Sequence, residues 1–104
     1  MIIIVIKTPF SQSMTYKQGI ECSLNLADAG DDVCVFLSKT FTEDLILSSN
    51  NDSVAENVRK QLKQLELYEI QIYSSCGFTS TQKAKLNDLV KDSSKVVVFW
   101  WKFT

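Results

Sequence analysis

Hydrophobic residues fall along this chain in two patterns that take turns: short unbroken runs, and longer stretches with helical spacing. Residues 2–6 (IIIVI), 33–37 (VCVFL) and 95–101 (KVVVFWW) are the unbroken runs, rich in β-branched and aromatic side chains. Runs of this kind suit strands buried on both faces, as in a parallel sheet. Between the first two, Ser13 to Ala29 carries Tyr16, Ile20, Ser23, Leu24 and Ala27 on one side of a helix, with Gly30 placed to end it. The three segments make a βαβ unit, whose crossover is almost always right-handed.

Residues 38–53 are less regular. FTEDLILSS fits a short helix with Thr42 as its N-cap and Glu43 and Asp44 in the first turn, where acidic side chains favour the helix dipole. SSNNDS reads as a loop, and its Asn51-Asp52-Ser53 is a glycosylation sequon that matters only in a secreted protein. Ser53 opens a further helix with the S-x-x-E form of a capping box, and Val54, Val58, Leu62 and Leu65 follow as one apolar stripe. Glu69 to Ser74 alternates around Ile70 and Ile72 as a third strand. Thr79 to about Val90 is helical in pattern, with Ala84, Leu86, Leu89 and Val90 apolar, and residues 95–101 form a fourth strand.

Strands therefore alternate with helices in the order β-α-β-(α)-α-β-α-β. That order predicts an α/β fold, a mostly parallel sheet of at least four strands with helices on both faces. In such sheets, sites lie beyond the carboxyl ends of the strands. Three segments should open there: Lys7–Ser13, Ser38–Phe41, and the stretch after the third strand that contains Cys76.

Length and charge narrow the picture. The 104 residues, 45% of them apolar, suit one domain with one core, spanning residues 1–104. The net charge of −1 leaves no basic excess for a phosphate backbone, so no direct nucleic-acid partner is expected. No apolar run is long enough to span a bilayer, and MIIIVI lacks the basic start and cleavage site of a signal peptide, so the expected setting is cytoplasmic and away from the membrane. The chain has no histidine, which excludes imidazole-based hydrolysis, His-ligated metals and phosphohistidine transfer. The three cysteines form no CxxC pair, so neither a dithiol motif nor a zinc knuckle is supported, and no metal or cofactor is expected. KTPFSQS has no glycine and is no phosphate-binding loop.

What remains is thiol chemistry. Cys76 stands between a strand end and a helix start, where backbone N–H groups and the helix dipole stabilise a thiolate. Gly77 would allow close approach, and Ser74, Ser75, Thr79 and Ser80 could donate hydrogen bonds. The competing reading is a small side chain tucked under a loop. Cys34 lies inside VCVFL and reads as core, whereas Cys22 lies off the main apolar side of its helix, exposed or at an interface. Arg59, Lys60 and Lys63 sit on the polar face of the third helix. Phe99, Trp100, Trp101 and Phe103 alternate across the last strand, so some point outward and suggest a subunit interface.

Residues 65–76, LELYEIQIYSSC, resemble a stretch of the DsrE/DsrF/DsrH (TusD/TusC/TusB) sulfur-relay family, and most closely its DsrF/TusC-like branch. There a helix ends in a leucine-rich segment, an L-Y-[DE]-I turn leads into the third strand, and a cysteine follows. The matching positions are Leu65, then Leu67-Tyr68-Glu69-Ile70, then Cys76. The resemblance implies a small flavodoxin-like or Rossmann-like three-layer fold, assembled as a homo- or hetero-oligomer, a trimer or hexamer. It implies a sulfurtransferase role in which Cys76 carries sulfane sulfur as a persulfide between donor and acceptor proteins, toward tRNA thiolation or sulfur oxidation. Two alternatives to that role stay open. One is a non-catalytic structural subunit of such an oligomer; the other, from the sheet edge itself, is a small-ligand binding module.

Overall fold

The two earliest apolar runs become neighbouring central strands, β1 (Ile2–Ile6) and β2 (Val33–Leu37), in a computed structural model that describes residues 1–7, 13–47, 52–74, 82–83, 85–91 and 93–99. Pro9, Asn51, Cys76, Ala84, Trp100, Trp101 and Phe103 lie outside the described residues, and for Asp44, Val54, Val58 and Arg59 only the backbone course is described. β1 and β2 run parallel, from Ile2 opposite Val33 to Ile6 opposite Leu37. β3 (Gln71–Ser74) adds to β2 and β4 (Gln82–Lys83) to β3, while β5 (Lys95–Phe99) lies on the other side of β1; every pairing is parallel. The five-stranded order is β4-β3-β2-β1-β5.

Side-chain alternation divides the core in two. Ile4, Ile6, Val35, Leu37 and Ile72 face α1 (Ser13–Asp28), Phe41 of α2 (Lys39–Leu47), and Leu62 and Leu65 of α3 (Asp52–Leu67). Ile3, Val5, Cys34 and Phe36 face the opposite way, against Leu86 and Leu89 of α4 (Leu86–Lys91). The result is the expected α/β fold, a parallel sheet with helices on both sides. The two sides are unequal, because α4 has only six residues. Fully burying each aliphatic side chain contributes roughly 1.5–3 kcal/mol. Tyr16 and Phe41 add an edge-to-face contact with ring centroids 5.6 Å apart, which ties α1 to α2.

Two helices end by the same device. After α1, Gly30 takes φ 92°, its N–H donates to Ala27, and Asp31 N–H donates to the Leu26 carbonyl at 3.0 Å. After α3, Glu69 takes φ 61°, its N–H donates to Glu66, and Ile70 N–H donates to Leu65 at 3.0 Å. Both are Schellman stops. In the second, Leu65 and Ile70 supply the buried apolar pair that accompanies such stops. The Leu67-Tyr68-Glu69-Ile70 segment is thus a helix terminus feeding β3.

Three local expectations are corrected. α2 begins at Lys39, three residues before Thr42, and its cap is Ser38, whose Oγ accepts from Phe41 N–H at 3.4 Å. Thr42 is instead buried in the second turn, its hydroxyl bonded back to the Ser38 and Lys39 carbonyls, which removes it as a cap and moves Glu43 out of the first turn. The helix expected from Thr79 to Val90 is shorter: residues 82–83 pair beside Tyr73 and Ser74 as β4, and α4 starts only at Leu86. Cys22 is half-buried and packs against the larger core cluster rather than standing exposed.

Candidate functional site at the carboxyl edge of the sheet

Parallel pairing brings the carboxyl ends of all five strands to one edge. Lys7 follows β1, Ser38 follows β2, Ser74 ends β3 and Phe99 ends β5. Backbone bonds lock this edge: Ser38 N–H donates to Ile6 at 2.9 Å and Lys7 N–H to Phe99 at 2.9 Å. Ser74 is fully buried. Lys39, at the first position of α2, pairs with Glu43 at 3.6 Å, but both side chains are well exposed, and such surface pairs are worth little.

The strand order sets where a crevice belongs. From β1 the chain steps outward through β2, β3 and β4, then returns to the far side of β1 as β5. The reversal falls between β1 and β5, the position at which open α/β sheets bind ligands. There α1 comes close. A Cβ on Gly19 would sit 3.1 Å from Ile6 Cγ1 and 3.3 Å from Phe99 Cδ2. An isolated glycine within a helical pattern is the signal that could have revealed this approach. β3, the strand that precedes Cys76, lies two places from β1 and three from β5 in the order. Cys76 follows Ser74 by two positions in the chain and lies outside the described residues.

The two described thiols differ. Cys34 is 1% exposed, and burial, reinforced by the Asp32 carboxylate and only partly offset by the terminal amine, pushes its pKa up to about 11. It is a core residue, as expected, and inert at neutral pH. Cys22 is half-covered by α1's packing. Lys60 and Lys63 are solvent-exposed, in keeping with a polar face. Among the described residues no group of His, Cys, Asp and Glu is arranged to hold a metal ion, and no helix is long and apolar enough to cross a membrane.

No family model, curated protein or solved structure matches the chain. The fold and the edge geometry therefore stand on their own, and any functional reading starts from the residues.

Proposed function

We propose that the chain is a cytoplasmic sulfur carrier whose working thiol is Cys76. Its thiolate attacks the outer sulfur of a donor protein's persulfide; the donor S–S bond breaks, and the donor leaves as a thiolate. Cys76 then holds the sulfur as a persulfide until a partner cysteine attacks it in the same way. The exchange has no net oxidation and needs no cofactor.

The observation that carries this reading is the position of β3. It is parallel to β2, so the chain leaves it toward the edge on which Lys7 and Ser38 lie, and Cys76 follows two residues later. The burial of Cys34 supports it by removing that thiol from competition, while Cys22 stays half-covered on α1. A reducing compartment would keep Cys76 free to react.

The second reading is a non-catalytic subunit of an oligomer. It is favoured by the helix stop at Glu69, which accounts for Leu67-Tyr68-Glu69-Ile70 without reference to chemistry. Intact-protein mass after incubation with a persulfide donor separates the two. Wild type should gain sulfur and Cys76→Ser should not. Equal gain, or none on either protein, would leave the subunit reading in possession.

A further inference from the structure

β5 is an edge strand, and its backbone faces can be assigned from one bond. Phe99 accepts from Lys7 N–H, so the backbone groups of Phe99 point toward β1. Alternation then turns those of Val97 and Lys95 the same way and those of Val96 and Val98 outward. Among the described residues these outward groups have no hydrogen-bond partner. The side chains of Val96 and Val98 share the sheet face of Ile3 and Val5, yet they are 40% and 44% exposed, because α4 covers β1 and β2 and not β5.

Natural sheets guard free edges with charges, prolines, bulges or very short strands. At the opposite edge, β4 as described is only two residues long, Gln82–Lys83. β5 is five residues, KVVVF, with a charge only at its first position. We propose that β5 pairs antiparallel with β5 of a second copy of this chain, about a two-fold axis beside Val97.

The register is self-complementary. With Val97 opposite Val97 of the second copy, Val96 faces Val98, and both present outward backbone groups. The two symmetry-related pairs form roughly four inter-chain hydrogen bonds. Each exposed valine meets another valine on the same face, which removes apolar surface from water. Lys95 falls opposite Phe99, so like charges do not meet, and a net charge of −1 per chain gives little repulsion between copies. Two five-stranded sheets become one continuous sheet with an isologous interface. This pairing does not depend on the sulfur-carrier reading.

Light scattering on the full chain tests it. Wild type should show twice the 11.8 kDa chain mass. Val98→Pro removes an outward donor from each copy without touching a bond to β1, and proline is tolerated at such edge positions. It should weaken the dimer on the order of 100-fold while circular dichroism stays unchanged. Val98→Lys, which cannot disturb the backbone, should weaken it as well. In a Cys22→Ser, Cys76→Ser background, Val97→Cys should cross-link between copies on mild oxidation and Val96→Cys should not. A wild-type monomer, a dimer indifferent to both Val98 variants, or a dimer that cross-links through Val96→Cys instead would overturn the proposal.

Discussion

Glu69 is the residue at which local strain is plainest. A side chain with a Cβ at φ 61° sits in the left-handed region, which glycine enters freely and other L-residues enter at an expense of about 1 kcal/mol. Its neighbours hold it there, because Leu65 and Ile70 must both reach the core across the turn. Glu69→Gly should therefore stabilise the protein by about 0.5–1 kcal/mol in urea denaturation. Gly30→Ala should destabilise it by a similar or larger amount through the backbone alone, since nothing lies within 4 Å of an added Cβ. Cys34 gives a second residue-scale test. Its folded pKa of about 11 exceeds the ordinary thiol value, so between pH 9 and 11 the unfolded chain releases a proton that the folded chain retains. Stability must fall as pH rises through that window, by on the order of 2 kcal/mol. The buried Tyr16 hydroxyl, also shifted up, acts in the same direction. Denaturation at pH 8 and pH 10.5 should show the fall in wild type and a smaller one in Cys34→Ala.

At the scale of elements, α3 shows how one helix carries two surfaces. Leu65 is fully buried and Leu67, two residues on, is 82% exposed. Leu65→Ala should cost about 2–5 kcal/mol and Leu67→Ala less than about 0.5, a contrast readable in one thermal-melt series. At α1, Gly19→Val should cost about 1–3 kcal/mol, because Ile6 and Phe99 leave no room for it. The same elements show what could be read beforehand. IIIVI and VCVFL announce strands because parallel strands buried on both faces read as unbroken apolar runs. Tyr16, Ile20, Leu62 and Leu65 announce helices by their spacing. β4 could not be seen, since two residues carry no period. The cap of α2 was misassigned because Ser38 and Thr42 both have the chemistry for it, and only the direction of the Thr42 hydroxyl, back toward Ser38 and Lys39, decides between them. KVVVF was misleading in another way: it has the composition of a doubly covered strand, but the six residues of α4 do not reach it. As for the candidate site, a third strand ending shortly before Cys76 was legible from element order, and Cys76 itself lies outside the described residues. The strand order was not, so neither was the reversal between β1 and β5.

For the whole molecule, the inequality of the two sheet edges matters most. Among the described residues, one edge strand is short and the other is long and apolar. If β5 pairs with β5, the melting temperature of wild type should rise with protein concentration, and that of Val98→Pro should not. β3, which precedes Cys76 in the chain, lies three places from β5 in the strand order, so the pairing would leave the end of β3 in each copy free of the contact.

The sheet also joins the first and last of the elements, and this has a consequence for synthesis. Ile2–Ile6 are made before their partner Lys95–Phe99, and the described helices lie between them in the chain. At about 5–20 residues per second, the intervening stretch takes on the order of 10 s to translate. Throughout that interval the outer side of β1, one of the most apolar segments in the chain, has no native neighbour to bind. The nascent polypeptide is then a natural client for a holdase, and slowing the ribosome before Lys95 should lower the soluble yield without altering the finished protein.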